Sequence, residues 1–217
     1  MALSVLQLDT RFPRVPGDVA CAQTFVEPPE IIEVPRATVA RVVTDDPKAV
    51  DLTAFRDAAR KAKGRVVTTS CGFLAPFQEV LQRDCRGLFV ASALGALRRL
   101  ESEHGQGRVL VVTFDAQKLG DAFLPAKTPR VGLSPDMHLR KVIEGDLPDL
   151  DTTCAQSELV DLLLRAVLQH DPSAILLECT NLPPYKTALR TVFGGPFHDI
   201  LTEIERVTPG SVRKEWR

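Results

Sequence analysis

The chain has 217 residues, 44% of them hydrophobic and 25% charged, with a formal net charge of −1. That length supports one large domain or two small ones with real cores. The near-neutral charge removes the basic footprint of a nucleic-acid binder, and no apolar run approaches the roughly 18 residues of a membrane span.

The start of the chain lacks a basic leader and reads as a β-strand rather than a secretory signal, with the strand expected over Ser4–Leu8. It ends at Asp9-Thr10-Arg11. Phe12 to Pro35 is rich in proline and glycine and reads as a long loop, the kind that carries function or moves. Thr38–Val43 is a second expected strand. Leu52–Lys63 reads as a helix, with Leu52, Phe55, Ala58 and Ala59 on one face and Gly64 as its stop. A strand over Arg65–Thr69 then runs into Ser70-Cys71-Gly72-Phe73, and Leu74–Gln82 continues as a helix.

The same alternation persists through the second half. Strands are expected at Gly87–Ala91, Arg108–Phe114, Arg130–Leu133, Ala174–Glu178 and Phe197–Ile200. Helices are expected at Ala93–Glu101, Ala116–Phe123, Gln156–Gln169, Pro183–Phe193 and Leu201–Arg206, with Asp136–Asp151 irregular. Strands alternating with helices define an α/β fold with mostly parallel sheets. In such folds the site lies beyond the carboxyl ends of the strands.

Two of the five cysteines stand at such ends, in Thr69-Ser70-Cys71-Gly72-Phe73 and Glu178-Cys179-Thr180-Asn181-Leu182. The cysteines are odd in number and scattered, without a Cys-x-x-Cys pair, so neither a disulfide framework nor a structural zinc site is indicated. Reduced thiols in a cytoplasmic protein follow. Cys21, Cys85 and Cys154 lack the strand-end setting and read as small buried hydrophobes.

Two thiols facing each other across a flat intermediate supply a base on one side and an acid on the other, which is what inverting a carbon acid needs. A strand-to-helix junction favours partial ionisation of a thiol. Ser70, Thr69 and Thr180 offer donors for the charge that develops. Glu178, one residue before Cys179, is expected on the opposite face of its strand, in an ion pair between the halves. His198 and Asp199 read as structural.

At these residues the sequence resembles the aspartate/glutamate racemase superfamily. That group comprises cofactor-independent amino-acid racemases, hydantoin racemases, maleate isomerases and arylmalonate decarboxylases. The resemblance rests on the two cysteine motifs, their order, and the closing Gly195-Pro196-Phe197-His198-Asp199-Ile200. It implies two pseudosymmetric α/β lobes with the active site between them, residues 1–92 plus 193–217 forming one and 93–192 the other. It implies Cys71 and Cys179 as the acid/base pair, with no cofactor and no metal. Thr69, Ser70, Gly72, Phe73, Thr180 and Asn181 are implied around a small-molecule carboxylate, in a protein that forms a homodimer and binds neither nucleic acid nor membrane.

The chain departs from the racemases of that group at Gly72-Phe73, where they carry Asn-Thr to grip the α-carboxylate. Arg11 is therefore a candidate for the carboxylate, and Asp9 a candidate for orienting Arg11 or binding a substrate amine. The activity so implied is racemisation or epimerisation of an amino acid or its derivative by two-base thiol proton transfer. The alternatives are cis-trans isomerisation or decarboxylation of a dicarboxylic acid, a non-catalytic ligand-binding relative, and a redox-sensing cysteine pair.

Overall fold

The computed structural model describes residues 2–217 and contains two four-stranded sheets, parallel throughout. The first comprises β1 (Leu3–Leu8), β2 (Glu30–Val34), β3 (Val66–Thr69) and β4 (Leu88–Val90) in the order β2-β1-β3-β4. The second comprises β5 (Val109–Thr113), β6 (Arg130–Gly132), β7 (Ala174–Leu177) and β8 (Phe197–His198) in the order β6-β5-β7-β8. The two orders are the same, so each sheet places its third strand beside its first. β3 is apolar or β-branched and wholly buried, as is β7. Strands covered on both faces read this way because no residue meets water.

The helices are α1 (Val39–Val42), α2 (Thr53–Lys61), α3 (Gln78–Gln82), α4 (Leu97–His104), α5 (His138–Glu144), α6 (Thr152–His170), α7 (Lys186–Leu189) and α8 (Ile200–Val207). The longest, α6, starts where the Asp151 carboxylate accepts the backbone N–H groups of Thr153 and Cys154 at 2.9 Å. It buries Leu159, Leu163 and Ala166 along one stripe. One apolar core runs through both sheets, while a second cluster joins Leu3, Val5 and Val66 of the first sheet to Ile200, Leu201 and Ile204 of α8. The chain thus leaves the second sheet after β8 and returns to the first at Asp199, whose side chain caps α8 through a reciprocal box with Thr202. No helix among the described residues is long and apolar enough to cross a membrane.

Five sequence expectations differ from this structure. Thr38–Val43 is not a strand but the short helix α1, because Val39 and Val42, three apart, bury against the core. The strand position beside β1 goes instead to Glu30-Ile31-Ile32-Glu33-Val34, inside the stretch read as a loop. As an edge strand it is half exposed, so its hydrophobic signal is diluted by charges. Ala116–Phe123 is a series of turns: the Asp115 carboxylate takes the N–H groups of Gln117 and Lys118, which tightens the chain locally. Asp136–Asp151 contains α5, whose apolar face is only Leu139, Val142 and Ile143. Leu74–Gln82 is also divided, with a tight 3-10 segment over Gly72–Phe77 that contains Pro76 before α3 begins.

Candidate active site

Cys71 follows β3 by two residues and Cys179 follows β7 by two, so the sheet order alone brings them to corresponding positions. The correspondence is detailed. The Ser70 N–H donates to the Leu6 carbonyl at 3.0 Å, and the Glu178 N–H donates to the Val112 carbonyl at 2.8 Å. The Leu8 N–H donates to Ser70 Oγ at 3.0 Å, and the Phe114 N–H acts on the Glu178 carboxyl from the corresponding position. The two motifs are tied directly by Thr180 Oγ1, which donates to the Ser70 carbonyl oxygen at 2.8 Å.

Both cysteines line one cavity, each with 7% of its surface exposed. The empty space between its walls is about 360 Å³, the open solvent at its mouth included. Its walls are mostly apolar, with Leu8, Phe12, Val39, Phe73, Phe114 and Ile143 among them. Its charged lining residues are Arg14 and Glu178, which form no ion pair with each other.

The thiols are not pre-ionised, contrary to what their junctions suggested. Burial, then the charge of Glu178, pushes the Cys71 thiol up to about 12, although the Phe73 N–H and Arg14 pull the other way. Burial and Glu178 also push Cys179 well above its ordinary value, against the Asn181 N–H, with Cys71 adding to the upward push. Desolvation here outweighs the short helical turn that follows each cysteine. Cys71 is the nearer of the two to ionisation because it alone has Arg14 acting on it. The Cys179 thiol donates to Asn181 Oδ1 at 3.6 Å.

Glu178 forms no ion pair among the described residues. The residue lies at the edge of the cavity, and its carboxyl is buried rather than paired with a cation. Thr113 Oγ1 donates to Glu178 Oε2 at 2.6 Å, while Oε1 is buried without a partner. Burial raises its pKa to about 7, against the Thr113 and Phe114 hydrogen bonds. A Cβ on Gly72 would collide with Glu178 Oε1 and fall 2.6 Å from the Glu178 carbonyl oxygen, so only glycine admits this carboxyl.

Of the residues singled out in the sequence, Ser70, Gly72, Phe73, Thr180 and Asn181 line the cavity with the two cysteines. Thr69 does not. Its hydroxyl lies 2.9 Å from both the Cys71 and Ala91 carbonyls, shares its one hydrogen between them, and accepts from the Cys71 N–H, fixing the backbone that carries the thiol. Asp9 accepts from the Arg36 N–H at 2.8 Å and supports a turn in which Arg36 has a positive φ. The Arg11 side chain is exposed outside the cavity; its backbone N–H and that of Phe12 donate to Asp146 Oδ1 at 2.6 and 3.0 Å. That contact fastens the loop after β1 to the end of α5.

The cation that lines the cavity is Arg14, unmarked in the sequence reading. Its guanidinium lies 4.1 Å from the Phe12 ring centroid, is held by Asp18 at 3.2 Å and Thr10 at 2.9 Å, and keeps a buried, unpartnered Nε. Asp18 also accepts from the Asn181 side-chain amide. The only sequence signal was the length of the loop from Phe12 to Pro35, which marks the segment but not the residue.

The chain has the fold of the aspartate/glutamate racemase superfamily. It covers 99% of its length, at 17% identity and a TM-score of 0.62, on 94% of allantoin racemase from Pseudomonas fluorescens. All of it matches 97% of unliganded arylmalonate decarboxylase, at 13% identity and a TM-score of 0.58. In sequence it is similar to two curated enzymes of another name. It is 26% identical to a dimethylsulfoniopropionate lyase of Durusdinium sp. clade D over 97% of this chain and 75% of that protein. It is 28% identical to dimethylsulfoniopropionate lyase 5 of Emiliania huxleyi, again over 97% of this chain but only 45% of that protein. No protein-family model matches the chain.

Proposed function

We propose that this protein is a cofactor-independent enzyme that takes a proton from the carbon next to a carboxylate, with Cys71 and Cys179 as the proton-transferring groups. The observation that carries this reading is the placement of both thiols, from equivalent strand ends, on one small cavity. Cys71 is the base, since Arg14 favours its thiolate; Cys179 stays protonated and is the acid. Arg14 holds the substrate carboxylate, and the N–H groups of Phe73 and Asn181 steady the sulfur charge.

Two fates of the resulting carbanion fit two thiols. Return of a proton from Cys179 on the opposite face gives racemisation or epimerisation. Alternatively, the electron pair left by the proton forms a double bond to the next carbon, whose own bond to a leaving group breaks. With a sulfonium as leaving group, the products are an unsaturated carboxylate and a neutral thioether, and the proton ends on Cys71. The second fate is favoured by similarity, over nearly the whole of this chain, to proteins named dimethylsulfoniopropionate lyases.

Incubation in deuterated water with a panel of amino acids, hydantoins and dimethylsulfoniopropionate tests the proposal. Deuterium entering the α-carbon marks the first fate and release of dimethyl sulfide the second. Cys71→Ser and Cys179→Ser each abolish the reaction found, whereas Cys85→Ser leaves it intact. Neither exchange nor elimination across the panel, or full activity in either of the first two variants, refutes it.

A further inference from the structure

We propose that Asp18 sets the order of the thiol pair: through Arg14 and the Asn181 amide it makes Cys71 the base and Cys179 the acid before any substrate arrives. This rests on the proton-transfer reading and deepens it by naming the positioning residue that gives each sulfur its role.

Asp18 is 1% exposed and sits in the loop after β1, at a point fixed from several sides. Its N–H donates to the Val15 carbonyl at 2.9 Å, and its carbonyl accepts from Thr24 Oγ1 at 2.7 Å. Its Oδ1 accepts from the Ala20 N–H at 2.7 Å. The other oxygen, Oδ2, takes two donors, the Arg14 guanidinium at 3.2 Å and the Asn181 side-chain amide. Both of those residues line the cavity. One buried oxygen therefore holds the cation that acts on Cys71 and the amide that is bonded to Cys179.

An amide carries a donor at one end and an acceptor at the other, and either end can meet a sulfur. A carboxylate only accepts. Asp18 therefore takes the N–H end of Asn181 and leaves Oδ1 for Cys179, whose thiol donates to it at 3.6 Å. A thiolate at Cys179 would face the negative end of that dipole, with the Asp18 carboxylate beyond it. Cys71 has the opposite setting, because the cation that Asp18 holds is the one that favours its thiolate. The charge of Asp18 is itself among those that keep Cys179 protonated. Nothing else acting on both sulfurs separates them so. Glu178 pushes both thiols up, and each has a supporting N–H two residues ahead, from Phe73 or from Asn181. The difference between the halves enters from the loop.

The test is alkylation of the intact protein by iodoacetamide at pH 8, with Cys71 and Cys179 followed separately by peptide mass spectrometry. The two thiols are equally exposed, so their relative rates report ionisation. In the unmodified protein Cys71 reacts at least about threefold faster, the net effect of one pKa unit once the weaker nucleophilicity of the more acidic thiol is allowed for. Asp18→Asn removes the charge, frees the Asn181 amide to turn its N–H end to the sulfur, and slackens the hold on Arg14. Cys179 then reacts at least about threefold faster than in the unmodified protein, and Cys71 no faster. Simple loosening of the loop would speed both. A smaller difference between the thiols in the unmodified protein overturns the proposal even if the variant does not fold, and any other pattern in a folded Asp18→Asn overturns it too. Alkylation needs no substrate, so the two readings fail separately. The expected pattern without exchange or elimination by the unmodified protein refutes proton transfer alone; turnover without the pattern refutes the role of Asp18 alone.

Discussion

Arg14 and Arg11 lie three positions apart in one loop and have opposite fates. Phe12 stacks on Arg14, and Asp18 and Thr10 hold its guanidinium at the cavity, whereas Arg11 points to solvent. A charge-assisted contact to a carboxylate is worth roughly 1.5–3 kcal/mol. Arg14→Ala should therefore raise KM about ten- to a hundredfold, and Arg11→Ala should leave it unchanged. Steady-state kinetics on the two variants checks both expectations together. The sequence offered no means of choosing between these arginines, because the choice is made by the path of an irregular loop. That path depends on Asp146, far along the chain, accepting from the N–H groups of Arg11 and Phe12.

Among the elements, the two strand-end motifs were legible and the edges of the sheets were not. β3, β5 and β7 are continuous apolar or β-branched runs, because neighbouring strands and covering helices remove them from water on every side. β2 and α5 are half exposed, so their patterns mix charge with hydrophobe and escape a reading by period. That Glu178 would be buried beside Thr113 without an ion pair was beyond alternation rules too. Thr180 shows how motif chemistry can be seen in sequence and its partner missed. Its hydroxyl donates to the Ser70 carbonyl, joining the turn after β7 to the turn after β3. Thr180→Val breaks this link and leaves a buried carbonyl unpaired, at a cost of about 1–3 kcal/mol. If Thr180 positions the thiols, kcat should fall at least about tenfold with KM nearly constant, in line with the sensitivity of proton transfer to small displacements. A rise in KM alone would make its hydroxyl a substrate contact.

At the scale of the molecule, Glu178 ties stability to pH. In the unfolded chain its carboxyl titrates near 4.5, and in the fold burial moves it up to about 7. Between those values the folded protein holds a proton that the unfolded chain has released. This group's contribution to stability is therefore full below about pH 4.5 and is lost as pH rises through about 7. The shift corresponds to roughly 3 kcal/mol. Glu178→Gln, which carries no proton to lose, should be more stable than the unmodified protein at pH 8 by an amount of that order and close to it at pH 5. Urea unfolding at the two pH values measures the difference; equal destabilisation at both would mean that the carboxyl is not buried as charge.

The two sheets repeat one strand order, yet the residue before each cysteine differs, serine in one half and glutamate in the other. Nothing in the cavity is therefore interchangeable between left and right. On the proposed proton-transfer reading, a methylene held between the thiols presents one of its two hydrogens to Cys71 and the other to Cys179. The enzyme must tell these mirror-related atoms apart, so a substrate labelled at a single one of them would either keep its isotope entirely or surrender it entirely.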